Sequence, residues 1–131
     1  MIVDNNWFEF VFEKNNKLSE DKTYARVSVS EKKNKEVSKV LHLYVGRKLA
    51  NQLGLQAESY VQIVGNQSYQ VLISKADQGV KVCHNKQANV VSLSKTIKDS
   101  RFRVHKSPTI EVQHTMIPNK GLVIDCSSLK L

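Results

Sequence analysis

The sequence predicts a mainly β fold of the β-rich α+β kind, a small barrel or sandwich of antiparallel hairpins with one or two short helices. Segments in which apolar and polar residues alternate recur along the 131 residues, as expected of half-buried strands. The five glycines are scattered among the turns between these segments. Helical spacing of apolar residues is clearest in one place, just after Gly46.

The length of 131 residues fits one domain of ordinary size. We expect three parts within it: an N-terminal hairpin with a basic loop (residues 1–39), a strand–helix–hairpin unit (residues 40–76) and C-terminal β-hairpins (residues 77–131).

The first part begins with an apolar, aromatic segment at residues 7–12, which suits a strand. Residues 24–30 alternate and predict a second strand, which can pair with the first across a long polar connection. Residues 31–39 are the most charged stretch and carry four lysines. This stretch is either a solvated loop or an arm that touches phosphates.

The middle part begins with a strand at residues 40–45. A short helix then follows Gly46, because Leu49 and Leu53 lie four residues apart on one helical face. Gly54 ends this helix, since glycine tolerates the left-handed conformation after a last turn. The alternating segments at residues 60–64 and 69–74 predict a hairpin, closed by a turn that contains Gly65-Asn66.

The last part starts with a turn at residues 77–79 and a short strand at residues 80–83. Ser94 can cap a short helix that runs to Asp99. Residues 101–105 then alternate strictly, which predicts a strand with Arg101 and Arg103 on its outer face and residues 110–114 as its partner. A turn at residues 118–121 precedes a final strand at residues 122–126.

The charge balance favours a polyanionic partner. Twenty Lys and Arg stand against twelve Asp and Glu, which gives a net charge of +8 and a pI near 9.6. Solubility alone is the competing explanation, since a small domain can carry such a charge for that reason. Lysines outnumber arginines sixteen to four, and this ratio fits attraction to a phosphate backbone better than readout of bases.

Two basic constellations are the candidate nucleic-acid-binding residues. The first consists of Lys32, Lys33, Lys35, Lys39, Arg47 and Lys48. The second consists of Arg101, Arg103 and Lys106, beside His105. A β-ribbon with arginines on its outer face can lie in a groove or along a backbone, whereas an ordinary solvated sheet surface is the structural alternative.

Catalytic and metal-binding motifs are absent from the sequence. It holds no HExxH, CxxC, GxSxG, Walker or Rossmann pattern. We therefore expect no enzyme, no catalytic residues, no cofactor and no metal, with a metal-dependent nuclease as the least favoured reading. Cys83 and Cys126 lie in apolar contexts and are expected to be buried free thiols, although a disulfide stays open.

The start of the sequence has no signal-peptide pattern, and no apolar run reaches the roughly 18 residues of a membrane span. We therefore expect no membrane contact and a cytoplasmic location.

The order of features in residues 43–73 resembles the swapped-hairpin DNA-binding family of AbrB, SpoVT and MazE type. The matching residues are Val45-Gly46-Arg47, Leu49, Leu53-Gly54-Leu55, Tyr60-Val-Gln-Ile and Val71-Leu-Ile. The chain departs from that family before the helix, where Tyr44-Val45-Gly46 replaces the usual Ile-Pro, and after it, where Glu58-Ser59 replaces Gly-Asp. The resemblance implies an interlaced homodimer in which Arg47 and the nearby basic loop face DNA.

Two functions compete at this point. The first is a small DNA-binding transcriptional regulator that contacts the duplex backbone, with duplex DNA preferred over RNA or single strands. The second is a non-enzymatic protein-interaction module, an inhibitor or accessory factor of a phage or mobile element. Such a module would dock its basic face on an acidic protein surface or on a nucleic-acid channel.

Overall fold

The structure is a computed structural model, and it describes residues 1–8, 18–31, 37–56, 58–84 and 89–131. In chain order, the helices and strands of these residues are β1 (Thr23–Glu31), β2 (Val37–Gly46), α1 (Arg47–Gln52), β3 (Tyr60–Gly65), β4 (Gln70–Ala76), β5 (Val80–Lys81), β6 (Cys83–His84), β7 (Val90–Ile97), β8 (Ser107–Val112), β9 (His114–Ile117), β10 (Gly121–Asp125) and a 3₁₀ helix (Ser127–Leu129).

The strands form two antiparallel five-stranded sheets. The first sheet has the order β6-β7-β2-β1-β8, and the second has the order β5-β3-β4-β10-β9. The predicted mainly β class is therefore confirmed, and within the described residues the sheets remain two rather than closing into a barrel. None of the helical segments in the described part of the chain has the length and apolarity that crossing a bilayer requires.

Both sheets bury their inner faces in one hydrophobic core. Leu41 and Leu43 alternate with half-buried polar or aromatic residues along β2, and both are 1% exposed. From the second sheet, Ile73, Leu122 and Ile124 have no exposed surface. Burying an aliphatic side chain of this size contributes roughly 1.5–3 kcal/mol, so the period-two alternation fixes which face of each strand points inward.

Helix α1 lies between β2 of the first sheet and β3 of the second, and a short helix is what the sequence predicts at this position. A Cβ atom at Gly46 would collide with the carbonyl oxygen of Glu20, so the entry to the helix requires glycine. Gly54 adopts the left-handed conformation with φ of 71°. Leu55 then turns back to the helix, with its N–H donating to the carbonyl of Ala50 at 2.9 Å, and its side chain is buried.

Two predicted elements are wrong, and in each case a long-range strand pairing takes the place of the predicted structure. Residues 94–99 are not a helix, because β7 runs to Ile97 and pairs with β2. Residues 101–105 are not a strand apart from one bridge between Val104 and Lys130, because β8 pairs with β1 instead.

The predicted N-terminal hairpin has residues 7–12 as its first strand. Within the described residues, β1 pairs with β2 along one edge and, through residues 23–27, with β8 along the other. Trp7 and Phe8 are exposed and lie outside any strand, and residues 9–12 lie outside the described residues. The predicted short strand at residues 80–83 is divided, because β5 joins the second sheet and β6 joins the first.

Candidate nucleic-acid interface

The candidate basic residues that the structure describes lie in three places rather than two. Lys32, Lys33 and Lys35 lie outside the described residues, in the connection between Glu31 and Val37. These two flanking residues pair at the end of the β1–β2 hairpin. The positions of the remaining candidates follow from the strands and turns that carry them.

Lys39 links the first candidate constellation to the second. It sits near the start of β2, and its Nζ donates a hydrogen bond to the carbonyl oxygen of Val104 at 2.6 Å. The side chain is half-buried, so its aliphatic stem packs while its ammonium is held at a fixed point. Lys39 therefore belongs to the site that contains Arg101 and Arg103.

The segment after β7 is shaped by an arginine that folds back on an aspartate. Arg101 donates to Asp99 three times: from its main-chain N–H at 2.9 Å, from Nε at 3.0 Å and from a terminal nitrogen at 2.7 Å. Two N–H groups of the guanidinium therefore bind the two oxygens of the carboxylate, and such bidentate pairs are among the stronger charge-assisted hydrogen bonds. The Arg101 guanidinium lowers the pKa of Asp99 to about 2, so this carboxylate is ionised at any physiological pH.

Phe102 and Val104 anchor the same segment to the core. The Phe102 ring stacks on Tyr69 with a centroid distance of 4.8 Å. Its other neighbour is Gly65, where a Cβ would lie 3.1 Å from the ring. The predicted alternation is therefore correct in burial, since Phe102 and Val104 are buried while Arg101 and Arg103 are exposed, although the segment is not a strand.

Two adjoining cavities, of about 570 Å³ and about 520 Å³, flank this segment and share Ile97, Lys98, Asp99 and Phe102 in their lining. We call them together the basic cleft. Their cationic lining residues are Lys39, Lys95, Lys98, Arg101 and Arg103. Among the lining residues that the structure describes, Asp99 has the one acidic side chain, and it is already paired with Arg101.

Lys95 and Lys98 were not among the predicted site residues. The predicted helix over residues 94–99 gave them no reason to face the arginines. In the structure, Lys95 lies on β7 and donates from Nζ to the carbonyl of Ile63 in the opposite sheet at 3.0 Å. Lys98 follows the end of β7 and is exposed. The sequence offers one signal for assigning both lysines to the site, because Lys95 and Lys98 lie close to Arg101 and Arg103 along the chain.

Arg47 and Lys48 lie at the other end of β2. Eight residues of mostly extended chain separate Arg47 from Lys39, a distance of about 25 Å. Arg47 is half-buried and its Nε atom is inaccessible to solvent. Lys48 is exposed and has its Nζ 3.9 Å from a carboxylate oxygen of Glu20. The structure therefore does not bring these two residues to the basic cleft.

Lys106 occupies the third place, immediately before β8. It lines a cavity of about 460 Å³ beside β1, together with Arg26 and Ser28. It is exposed and does not line the basic cleft.

The two cysteines are both free thiols. Cys126 is buried, as predicted, whereas Cys83 is exposed, which corrects the prediction for that residue. Burial raises the pKa of the Cys126 thiol to about 12. Within the described residues, His, Cys, Asp and Glu nowhere form a group of three that could hold a metal ion.

Comparison of the chain with protein-family models, with curated proteins and with solved structures gives no match.

Proposed function

We propose that the protein binds nucleic acid through the basic cleft, as a small DNA-binding regulator of transcription that contacts the duplex backbone. The observation that carries this proposal is the charge of the cleft lining: among the described lining residues, five side chains are cationic and one is acidic, and Arg101 already pairs with the acidic one. A polyanion gains from such a surface through direct attraction and through release of its counterions.

The lysines of the cleft and Arg103 are available to an incoming phosphate, whereas Arg101 is paired with Asp99. In the described part of the chain, ion pairs within 4 Å join Lys22 to Glu111, Lys48 to Glu20 and Arg101 to Asp99. Lys39 and Lys95 each use one N–H to bind a main-chain carbonyl. An ammonium has three donors, so each of these lysines is oriented and still has donors for phosphate oxygens.

The aromatic lining of the cleft favours duplex over single-stranded nucleic acid. Single strands are held largely by bases that stack on aromatic side chains. Among the described lining residues Phe102 is the aromatic one, and its ring lies against Tyr69 and Gly65. It is 8% exposed, which leaves little face for a base. Contact with a duplex backbone needs no such face.

Fluorescence anisotropy with labelled duplex DNA, single-stranded DNA and duplex RNA, each at low and at near-physiological salt, tests this function. We expect salt-sensitive binding that survives at the higher salt and is tightest for duplex DNA. Absence of binding to all three at low salt would contradict the proposal. Tighter binding to single strands would contradict contact with a duplex backbone, but the protein would still be a nucleic-acid-binding protein.

The resemblance to swapped-hairpin proteins adds an interlaced homodimer to the proposal. The residues that carry it form β2, α1, β3 and β4. Light scattering coupled to size exclusion measures the mass against 14.9 kDa for one chain. A mass of twice this value is expected, and a monomer at all concentrations would remove the dimer from the proposal.

A protein-interaction module is the second candidate, and the exposed aromatic residues near the start of the chain favour it. Trp7 is 80% exposed, and Phe8 is 79% exposed. Large exposed aromatics are typical of residues that anchor a protein partner. Under this reading, the basic cleft docks an acidic protein surface, and the anisotropy experiment gives no nucleic-acid binding at low salt.

A further inference from the structure

The outer face of the first sheet carries a second group of polar residues, separate from the basic cleft. Arg26 on β1, His42 on β2 and Ser94 on β7 lie in one cross-strand row. Ser28 and Tyr44 lie in the neighbouring rows on the same face, since residues two apart along a strand share a face.

His42 is held between two hydroxyl groups. Its Nε2 lies 2.9 Å from the Ser28 Oγ, and its Nδ1 lies 2.8 Å from the Ser94 Oγ. A neutral imidazole donates to one serine and accepts from the other. The serine that accepts a hydrogen bond from the ring can donate its own hydroxyl proton to another acceptor. If the ring were protonated, it would donate to both serines, and both hydroxyl protons would then be available. Burial, and secondarily the charge of Arg26, lowers the pKa of His42.

Arg26 is fixed in place with most of its donors unused. Its Nε donates to the hydroxyl oxygen of Tyr44 at 3.2 Å. Among the described residues no carboxylate lies within 4 Å of its guanidinium. The two terminal nitrogens are therefore able to form the two parallel hydrogen bonds that a phosphate accepts. The side chain is half-buried, so the charge is also shielded from part of the solvent.

A bulge between β1 and β8 opens a cavity beside this arginine. The register shifts between Ala25 and Val27, so that residues 108 and 109 on β8 stand against Arg26 alone. Such a bulge bends the strand and interrupts the ladder of hydrogen bonds locally. The resulting cavity of about 460 Å³ is lined by Arg26, Ser28 and Lys106 among others, and none of the described residues that line it is acidic.

We propose that Arg26, Ser28 and Lys106 form a phosphate-binding site at the β1–β8 bulge. Arg26 supplies a two-pronged donor, Lys106 a second positive charge and Ser28 a hydroxyl. His42 and Tyr44 are positioning residues, which hold Ser28 and Arg26. The phosphate is either a group of the nucleic-acid backbone, in which case the site rests on the proposed function, or an independent phosphate ion or phosphorylated small molecule.

Nuclear magnetic resonance on the full chain tests the site with two probes, inorganic phosphate and a short DNA duplex. We expect saturable shifts at Arg26, Ser28 and Lys106, and a rise in the pKa of His42, because a bound dianion offsets the charge of Arg26. Arg26→Lys keeps the charge but loses the fork and the Tyr44 bond, so it should weaken phosphate binding several-fold. Lys120→Ala, at an exposed turn, is the charge-matched control for Lys106→Ala.

The two probes distinguish the source of the phosphate. If the duplex causes shifts, the site is a nucleic-acid contact, whether or not inorganic phosphate also causes them. If inorganic phosphate causes shifts and the duplex does not, the site binds an independent ligand. No shift at these residues and no change in the His42 pKa with either probe would overturn the site. In that case, loss of DNA binding in variants of the basic cleft would show that the proposed function holds without the phosphate site.

Discussion

The ammonium of Lys39 donates a hydrogen bond to the main-chain carbonyl oxygen of Val104, and the two atoms are 2.6 Å apart. The two residues are separated by 65 positions in the sequence. The bond fastens the start of β2 to the irregular segment that carries Arg101 and Arg103. One lysine therefore both stabilises the wall of the basic cleft and contributes to its charge.

Lys39→Met should lower the free energy of unfolding by about 1 to 2 kcal/mol, because it removes a charge-assisted hydrogen bond and leaves the Val104 carbonyl without its donor. Methionine keeps an aliphatic stem of similar length, so the loss reports on the ammonium. Urea denaturation followed by circular dichroism measures the change. Lys98→Met is the control, because the Lys98 side chain makes no intramolecular hydrogen bond in the described residues. Equal stability of the two variants would show that the Val104 bond contributes nothing.

Gly65→Ala should destabilise the protein by about 1 to 3 kcal/mol. The new methyl group would lie 3.1 Å from the Phe102 ring, and that ring is also stacked on Tyr69, so it has little room to move. Thermal unfolding measures the loss, with Ser68→Ala in the same turn as control. An unchanged melting temperature would mean that Phe102 is not held against Gly65 as the structure has it.

Asp99 should titrate with a pKa of about 2 rather than 3.8, chiefly because Arg101 donates hydrogen bonds to its ionised form. A carboxyl whose pKa is lower in the folded state stabilises the fold above its unfolded pKa. This contribution is then lost as the pH falls from about 3.8 toward 2. Carbon-detected titration of the carboxyl group measures the pKa directly. In Arg101→Ala it should rise toward 3.8, and a value that stays near 2 would mean that Arg101 is not the cause.

The two thiols should differ sharply in reactivity. A thiolate is the reactive form, and burial raises the pKa of Cys126 to about 12, whereas Cys83 is exposed. One equivalent of a thiol reagent should react quickly with the native protein and two with the denatured protein. Cys83→Ala should abolish the fast reaction. Fast labelling that persists in this variant would show that Cys126 is reached by solvent.

The strand–helix–hairpin unit could be predicted because its signals are local. Gly46 and Gly54 bound the helix, and the alternation at residues 60–74 needs no knowledge of distant partners. The exposure of Arg101 and Arg103 could also be predicted, because any extended chain anchored by Phe102 and Val104 presents the intervening side chains to solvent.

The parts of the fold and of the site that could not be predicted depend on which distant segments pair. Ser94 is a reasonable helix cap in isolation, but β7 gains a full ladder with β2, and the pairing of Ile97 with Lys39 carries the strand through the predicted helix. For the same reason Lys95 and Lys98 could not be assigned to the cleft. No local pattern indicates that Lys39 reaches Val104, or that β8 chooses β1 over residues 101–105.

Binding through the basic cleft is tested most directly by the salt dependence of duplex DNA affinity in three charge-matched double variants. Lys98→Ala/Arg103→Ala removes two cleft cations, Arg47→Ala/Lys48→Ala removes the pair at the far end of β2, and Lys81→Ala/Lys120→Ala removes two exposed lysines elsewhere. Each phosphate contact that is lost should reduce the slope of log affinity against log salt by roughly 0.9. We expect the cleft variant to bind more weakly with a slope reduced by up to two such steps, and the other two to keep the wild-type slope. An unchanged slope in the cleft variant, or an equal reduction in all three, would contradict binding through the cleft.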